Sequence, residues 1–115
     1  MTGEVSVDGW EIDPDRLRAM LDAGEPMLLL DCRTPPERDI ARIEGSVLVP
    51  MDELAARLEE LREHADEPVV VYCHSGQRSL IVTSALRRSG FSDVTSLAGG
   101  IDRWSLEIDG TVPRY

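Results

Sequence analysis

The chain has 115 residues, 42% of them apolar and 30% charged, enough for one compact domain with a sizeable core. Twelve basic residues against 22 acidic ones give a net charge of -10, the wrong sign for attraction to nucleic acid or an anionic membrane. Every basic residue is arginine, which excludes a Schiff-base lysine and a phosphate-loop lysine.

Two cysteines, Cys32 and Cys73, are too few for a disulfide scaffold and suit a reducing compartment. With two histidines besides, they show no metal-ligand spacing such as Cys-x2-Cys. From Met1 to Trp10 the chain is acidic and polar rather than basic and then apolar, so no secretory leader is expected, and no segment approaches membrane-spanning length. The expectation is a soluble, cytoplasmic protein folded as one domain over residues 1–115.

Trp10-Glu11-Ile12 reads as a strand. Asp13-Pro14 then supplies a cap and a proline suited to the first helical position; Leu17, Met20 and Leu21 share a face, and Gly24 ends the helix. Met27 to Asp31 is an apolar run without alternation, the pattern of a strand covered on both faces. A short helix is predicted over Glu37 to Ile43 and a strand over Val47 to Val49, stopped by Pro50. Asp52 is expected to cap a helix with Leu54, Leu58, Leu61 and Ala65 inward and Glu59, Glu60, Arg62 and Glu63 in solvent. The β-branched run from Val69 to Tyr72 is a strand that delivers the chain to Cys73. Ser79 to Ser89 reads as a helix closed by Gly90, with Arg87-Arg88 complementing its dipole; a strand over Val94 to Leu97 and a helix over Ile101 to Ser105 follow.

This alternation predicts an α/β sandwich of three layers, a mostly parallel central sheet of about five strands flanked by helices on both faces. Ligands of such sheets gather at the carboxyl ends of the strands. Three polar segments fall there: Asp31-Cys32-Arg33, Cys73 to Ser79, and Ala98-Gly99-Gly100.

The second segment, Cys73-His74-Ser75-Gly76-Gln77-Arg78-Ser79, turns from a buried strand into a helix, so backbone amides can converge on the thiol. Those amides, the positive end of the helix and the Arg78 guanidinium all favour thiolate over thiol, lowering the pKa from a reference of about 8.5. Gly76 supplies the unusual backbone angles that a tight ring of amides requires. Arg78 can orient an anion or brace the loop, and His74 can face the pocket as a base or stay in solvent. Four residues separate Cys73 from Arg78, a ring suited to one added sulfur and too small to wrap a tetrahedral phosphate.

At these residues the chain resembles the rhodanese family, specifically its small single-domain members, over nearly its whole length. Asp31-Cys32-Arg33 with Glu37, Ile43-Glu44-Gly45-Ser46 leading to Val49-Pro50, the loop from Cys73 to Ser79, and Leu97-Ala98-Gly99-Gly100-Ile101 with Trp104 look like that family's successive motifs. The resemblance implies a rhodanese-like fold and a sulfurtransferase without external cofactor. Cys73 would accept a sulfane sulfur from thiosulfate or a persulfide donor and pass it to a thiol, cyanide or protein acceptor. His74, Ser75, Gly76, Gln77, Arg78 and Ser79 would form the substrate loop, and Asp31, Arg33 and Glu37 would brace it. A carrier or docking module without turnover is the alternative, and a cysteine phosphatase a more distant one. Cys32 stands where the family usually has a small apolar residue and is expected to pack rather than to act as a redox partner. Ala41-Arg42 replaces the family's usual Gly-His, which makes Arg42 a candidate for substrate binding at the pocket rim.

Overall fold

The computed structural model describes residues 9–115; Met1 to Asp8, most of the stretch on which the leader expectation rests, lies outside the described residues. Five strands, β1 (Glu11–Ile12), β2 (Leu28–Asp31), β3 (Val47–Leu48), β4 (Val69–Tyr72) and β5 (Val94–Leu97), pair in the order β1-β5-β4-β2-β3. Every pairing is parallel, where the sequence suggested mostly so. β2, β4 and β5 are buried at all four of their positions, which is why their sequences lack polar alternation on one face.

The helices are α1 (Pro14–Asp22), α2 (Pro35–Ile40), α3 (Leu54–Arg57), α4 (Gln77–Arg88) and α5 (Gly100–Glu107). One core gathers Leu30, Val69 and Val71 of the sheet against Leu54, Val82 and Leu86 from α3 and α4. The other gathers Leu29, Val70 and Leu97 against Leu17, Met20, Ile101 and Trp104 from α1 and α5. Alternate residues of β2 and β4 thus face opposite layers, and the sandwich has the expected three. Among the described residues no helix is long and apolar enough to cross a membrane.

Several boundaries differ from the sequence expectation, each for a local reason. The short helix begins at Pro35 and ends at Ile40, because Thr34 and Glu37 form a reciprocal capping box and Ala41 is extended. Asp52 does not cap a regular helix: Met51–Glu53 is a 3-10 turn, α3 lasts four residues, and Leu58–His64 is again 3-10. With Leu54 and Leu61 as its only buried side chains, this acidic segment has too little packing to enforce a regular helix. The helix expected from Ser79 starts two residues earlier at Gln77, capped by Gly76 at φ 110. Arg87 does more than complement that helix's dipole, since its Nε donates to the Val94 carbonyl at 2.9 Å and its guanidinium lies 4.1 Å from the Trp10 ring centroid.

Candidate active site

The strand β4 carries Cys73 to the carboxyl edge of the sheet, and Gly76 turns the chain so that α4 begins over the sulfur. The Gly76 amide donates to Cys73 Sγ at 3.1 Å and the Ser79 amide at 3.4 Å, while Ser79 Oγ lies 3.4 Å from the same atom. Ser79 Oγ is in turn 2.7 Å from Ser96 Oγ on β5. Gln77, Arg78 and Ser79 therefore belong to the first turn of α4, whose amides have no partners within the helix and can serve the sulfur instead. Cys73 is 1% exposed, so the loop covers the thiol almost completely.

The facing Cys32 thiol, opposed by burial and assisted by the Ser79 hydroxyl and the Ser79 and Gly76 amides, holds the Cys73 thiol at a pKa of about 4. The same coupling pushes Cys32 far above the ordinary thiol range. The arrangement leaves Cys73 as the thiolate and Cys32 as its protonated neighbour. Alkylation of Cys73 by iodoacetamide is therefore expected to proceed at constant rate through neutrality and to halve only near pH 4, followed by peptide mass spectrometry. A rate that climbs toward about pH 8.5, as for a free thiol, contradicts this assignment.

Arg78 lies beside the loop with both outer nitrogens on Glu37, Nη1 to Oε1 at 2.7 Å and Nη2 to Oε2 at 2.9 Å. Arg78, above all, and then Tyr115 and Thr34 keep the Glu37 carboxyl well below the usual range despite its burial. Glu37 is thus a brace between α2 and the loop. Asp31 and Arg33 are both fully buried: Arg33 Nε and Nη2 reach the two Asp31 oxygens at 2.8 Å each, and Nη2 also donates to the Ala41 carbonyl at 2.6 Å. Arg38 adds a second cation on Asp31 at 3.1 Å and grips Ser46. Asp31, Arg33 and Arg38 tie together the connection from β2 to β3 and reach Tyr115 without touching the sulfur.

The glycine pair closes the other flank. Gly99 and Gly100 have φ of 75 and 62, and a Cβ on Gly100 would collide with the His74 carbonyl and sit 2.7 Å from the Cys73 oxygen. That proximity lets the first amides of α5 bond the loop, Ile101 to Cys73 at 2.9 Å and Asp102 to His74 at 3.1 Å. The His74 ring stacks on Tyr115 at 4.3 Å, and Ser75 and Gln77 are exposed on the rim.

Arg42 is not at this rim. It lines a cleft of about 500 Å³ with Arg18, Glu44, Trp104 and Asp109, and no residue of the loop shares that cleft. Sequence reasoning missed Tyr115, whose hydroxyl donates to Glu37 at 2.8 Å and accepts from Arg33 at 2.9 Å, and Tyr72, whose hydroxyl accepts from the Ile43 amide at 3.2 Å. Tyr72 carried a signal in its place at the end of an apolar strand, where a buried hydroxyl needs a partner; Tyr115 carried none.

Comparison with known proteins is consistent with this arrangement. The family model for the rhodanese-like domain matches residues 13–107. A sulfurtransferase of Allochromatium vinosum is 37% identical over 95 residues, covering 83% of this chain and 87% of that protein. The probable adenylyltransferase/sulfurtransferase MoeZ of Mycobacterium tuberculosis is 35% identical over 107 residues, covering 93% of this chain and 27% of that protein. The chain thus spans about a quarter of the length of such larger relatives. The crystal structure of thiosulfate sulfurtransferase from Pseudomonas aeruginosa superposes with a TM-score of 0.77 at 32% identity, over 84% of this chain and 19% of that one. With its parallel sheet, its cysteine loop and these matches, the chain belongs to the rhodanese-like domain family.

Proposed function

We propose that this protein is a sulfurtransferase acting as one domain over residues 1–115, with Cys73 as the sulfur-carrying nucleophile. The Cys73 thiolate attacks the outer sulfur of thiosulfate; the S–S bond breaks and sulfite leaves with its electron pair, giving a Cys73 persulfide. An acceptor thiolate or cyanide then attacks the outer sulfur, and Cys73 departs as a thiolate. The amides that hold the resting thiolate can also stabilise charge on the persulfide. Arg78 braces the loop through Glu37 while its positive charge favours an anionic donor. His74, Ser75 and Gln77 form the rim that meets donor and acceptor. The free thiols suit a reducing compartment such as the cytoplasm.

The observation that carries this reading is the pair of amides on Sγ at 3.1 and 3.4 Å. It is tested by thiocyanate formation from thiosulfate and cyanide. Wild type is expected to turn over repeatedly and Cys73→Ser to lose at least about a thousandfold, the scale at which a nucleophile is missed. Equal rates in the two proteins overturn the proposal. One equivalent of thiocyanate per chain, and no more, selects the carrier reading, which the resemblance to a putative sulfur carrier protein of Bacillus subtilis, 30% identical over 95 residues, keeps in view.

A further inference from the structure

Cys32 is not simply buried somewhere in the core. β2 and β4 are neighbours, with Leu30 opposite Val71 and Asp31 opposite Tyr72, and the ladder continues one bond further through the Cys32 amide to the Tyr72 carbonyl at 3.1 Å. The next pair in that register is Cys32 and Cys73. Adjacent strands run about 4.7–4.9 Å apart, inside the Cα separation that a disulfide spans. Both side chains also point to the same face, in the cluster that holds Leu30, Val71 and Val82, and each residue is 1% exposed. Each sulfur is the strongest side-chain influence on the ionisation of the other.

The flanks of Cys73 Sγ are divided. Gly76 and Ser79 approach it from the start of α4, and Cys32 approaches from the end of β2. Cys32 also lines a cleft of about 160 Å³ together with Thr34, Met51 and Arg78.

We infer that Cys32 is an internal acceptor for the persulfide, attacking Cys73 Sγ and expelling the outer sulfur as hydrosulfide to leave a disulfide between Cys32 and Cys73. This rests on the persulfide proposed above. The Sγ–Sγ bond forms as the bond from Cys73 Sγ to the outer sulfur breaks. The outer sulfur takes that electron pair, and the proton that Cys32 gives up balances the one on hydrosulfide. Placing the negative charge on the outer sulfur moves it off the atom that Cys32 attacks and weakens one of the influences that keep the Cys32 thiol protonated, burial and Asp31 being others. An external dithiol restores both thiols by disulfide exchange. The net activity is release of sulfide from a sulfane donor at the expense of a dithiol, beside transfer to cyanide or a thiol acceptor.

The test uses the full reduced chain with thiosulfate at about pH 8, without oxygen, cyanide or added thiol, where even a thiol at the reference pKa of about 8.5 is partly ionised and the Gly76 and Ser79 amides remain in the Cys32 variants. Sulfide is measured, and the protein is alkylated and weighed intact. Wild type is expected to release one equivalent of sulfide and to finish with both cysteines closed to alkylation and two hydrogen atoms lighter. Cys32→Ala and Cys32→Val, either of which suffices if the other fails to fold, are expected to stop at a persulfide one sulfur heavier, release no sulfide, and yield one equivalent of thiocyanate when cyanide follows. Wild type that holds the persulfide as the variants do, with no sulfide and Cys32 open to alkylation after unfolding, overturns the inference and leaves sulfur transfer standing. Absence of sulfide, persulfide and thiocyanate from every form overturns both.

Discussion

Asp31→Ala is expected to destabilise the fold by about 3–5 kcal/mol, the range measured when one partner of a buried ion pair is removed. Arg33 is fully buried and cannot shed its proton: burial acts against its charge, but the bonds to Asp31 and then Tyr115 hold its pKa above the usual value. Without the carboxylate, the guanidinium keeps the Ala41 carbonyl at 2.6 Å and the Tyr115 hydroxyl at 2.9 Å, neither of which carries charge. Arg38 loses its 3.1 Å partner as well. For a domain of this size the midpoint of thermal unfolding should fall by roughly 10–20 °C. Adding Arg33→Met should recover part of the loss, since the cost lies in the stranded charge rather than in the missing attraction. A loss under about 1 kcal/mol for Asp31→Ala, read by denaturant unfolding, would mean that water reaches Arg33.

Gly100→Ala is expected to be the most damaging change to the site that removes no functional group. Two effects add: alanine at φ 62 is strained, and its Cβ meets the backbone of Cys73 and His74. Together they amount to about 2–5 kcal/mol. The backbone cannot step aside as a side chain would, so α5 must retreat and give up the bonds from Ile101 and Asp102 to the loop. Displacing the Cys73 carbonyl displaces the sulfur relative to the Gly76 and Ser79 amides, and thiocyanate formation should fall by about a hundredfold or more. Gly110→Ala is the control: nothing lies within 4 Å of its Cβ, and its stability should stay within about 0.5 kcal/mol of wild type. Equal behaviour of the two variants would refute the close approach of α5 to the loop.

The loop from Cys73 to Ser79 was readable because its geometry is local. Cys73, Gly76 and Ser79 lie within seven consecutive positions, a span over which a strand end, a left-handed glycine and a helix start dictate one another. Local spacing also revealed the acidic exterior of the segment from Leu54 to His64, yet misjudged its regularity, because helical periodicity does not report how much packing is available to enforce a helix. Glu37 was expected to brace and lies where a brace is needed, but its partner Arg78 is 41 positions away and its partner Tyr115 is 78 away.

Composition and pattern were sufficient for the sandwich, the strand cores and the cysteine loop, since burial on two faces and a turn into a helix leave marks in neighbouring residues. Strand order left no such mark. β2 and β4 adjoin although β3 lies between them in the chain, and that adjacency places Cys32 beside Cys73 rather than in anonymous core. The placement of Arg42 away from the loop and of Tyr115 upon it has the same origin: long-range neighbours follow from how whole layers pack, a sum over many weak contacts that no short stretch of sequence contains.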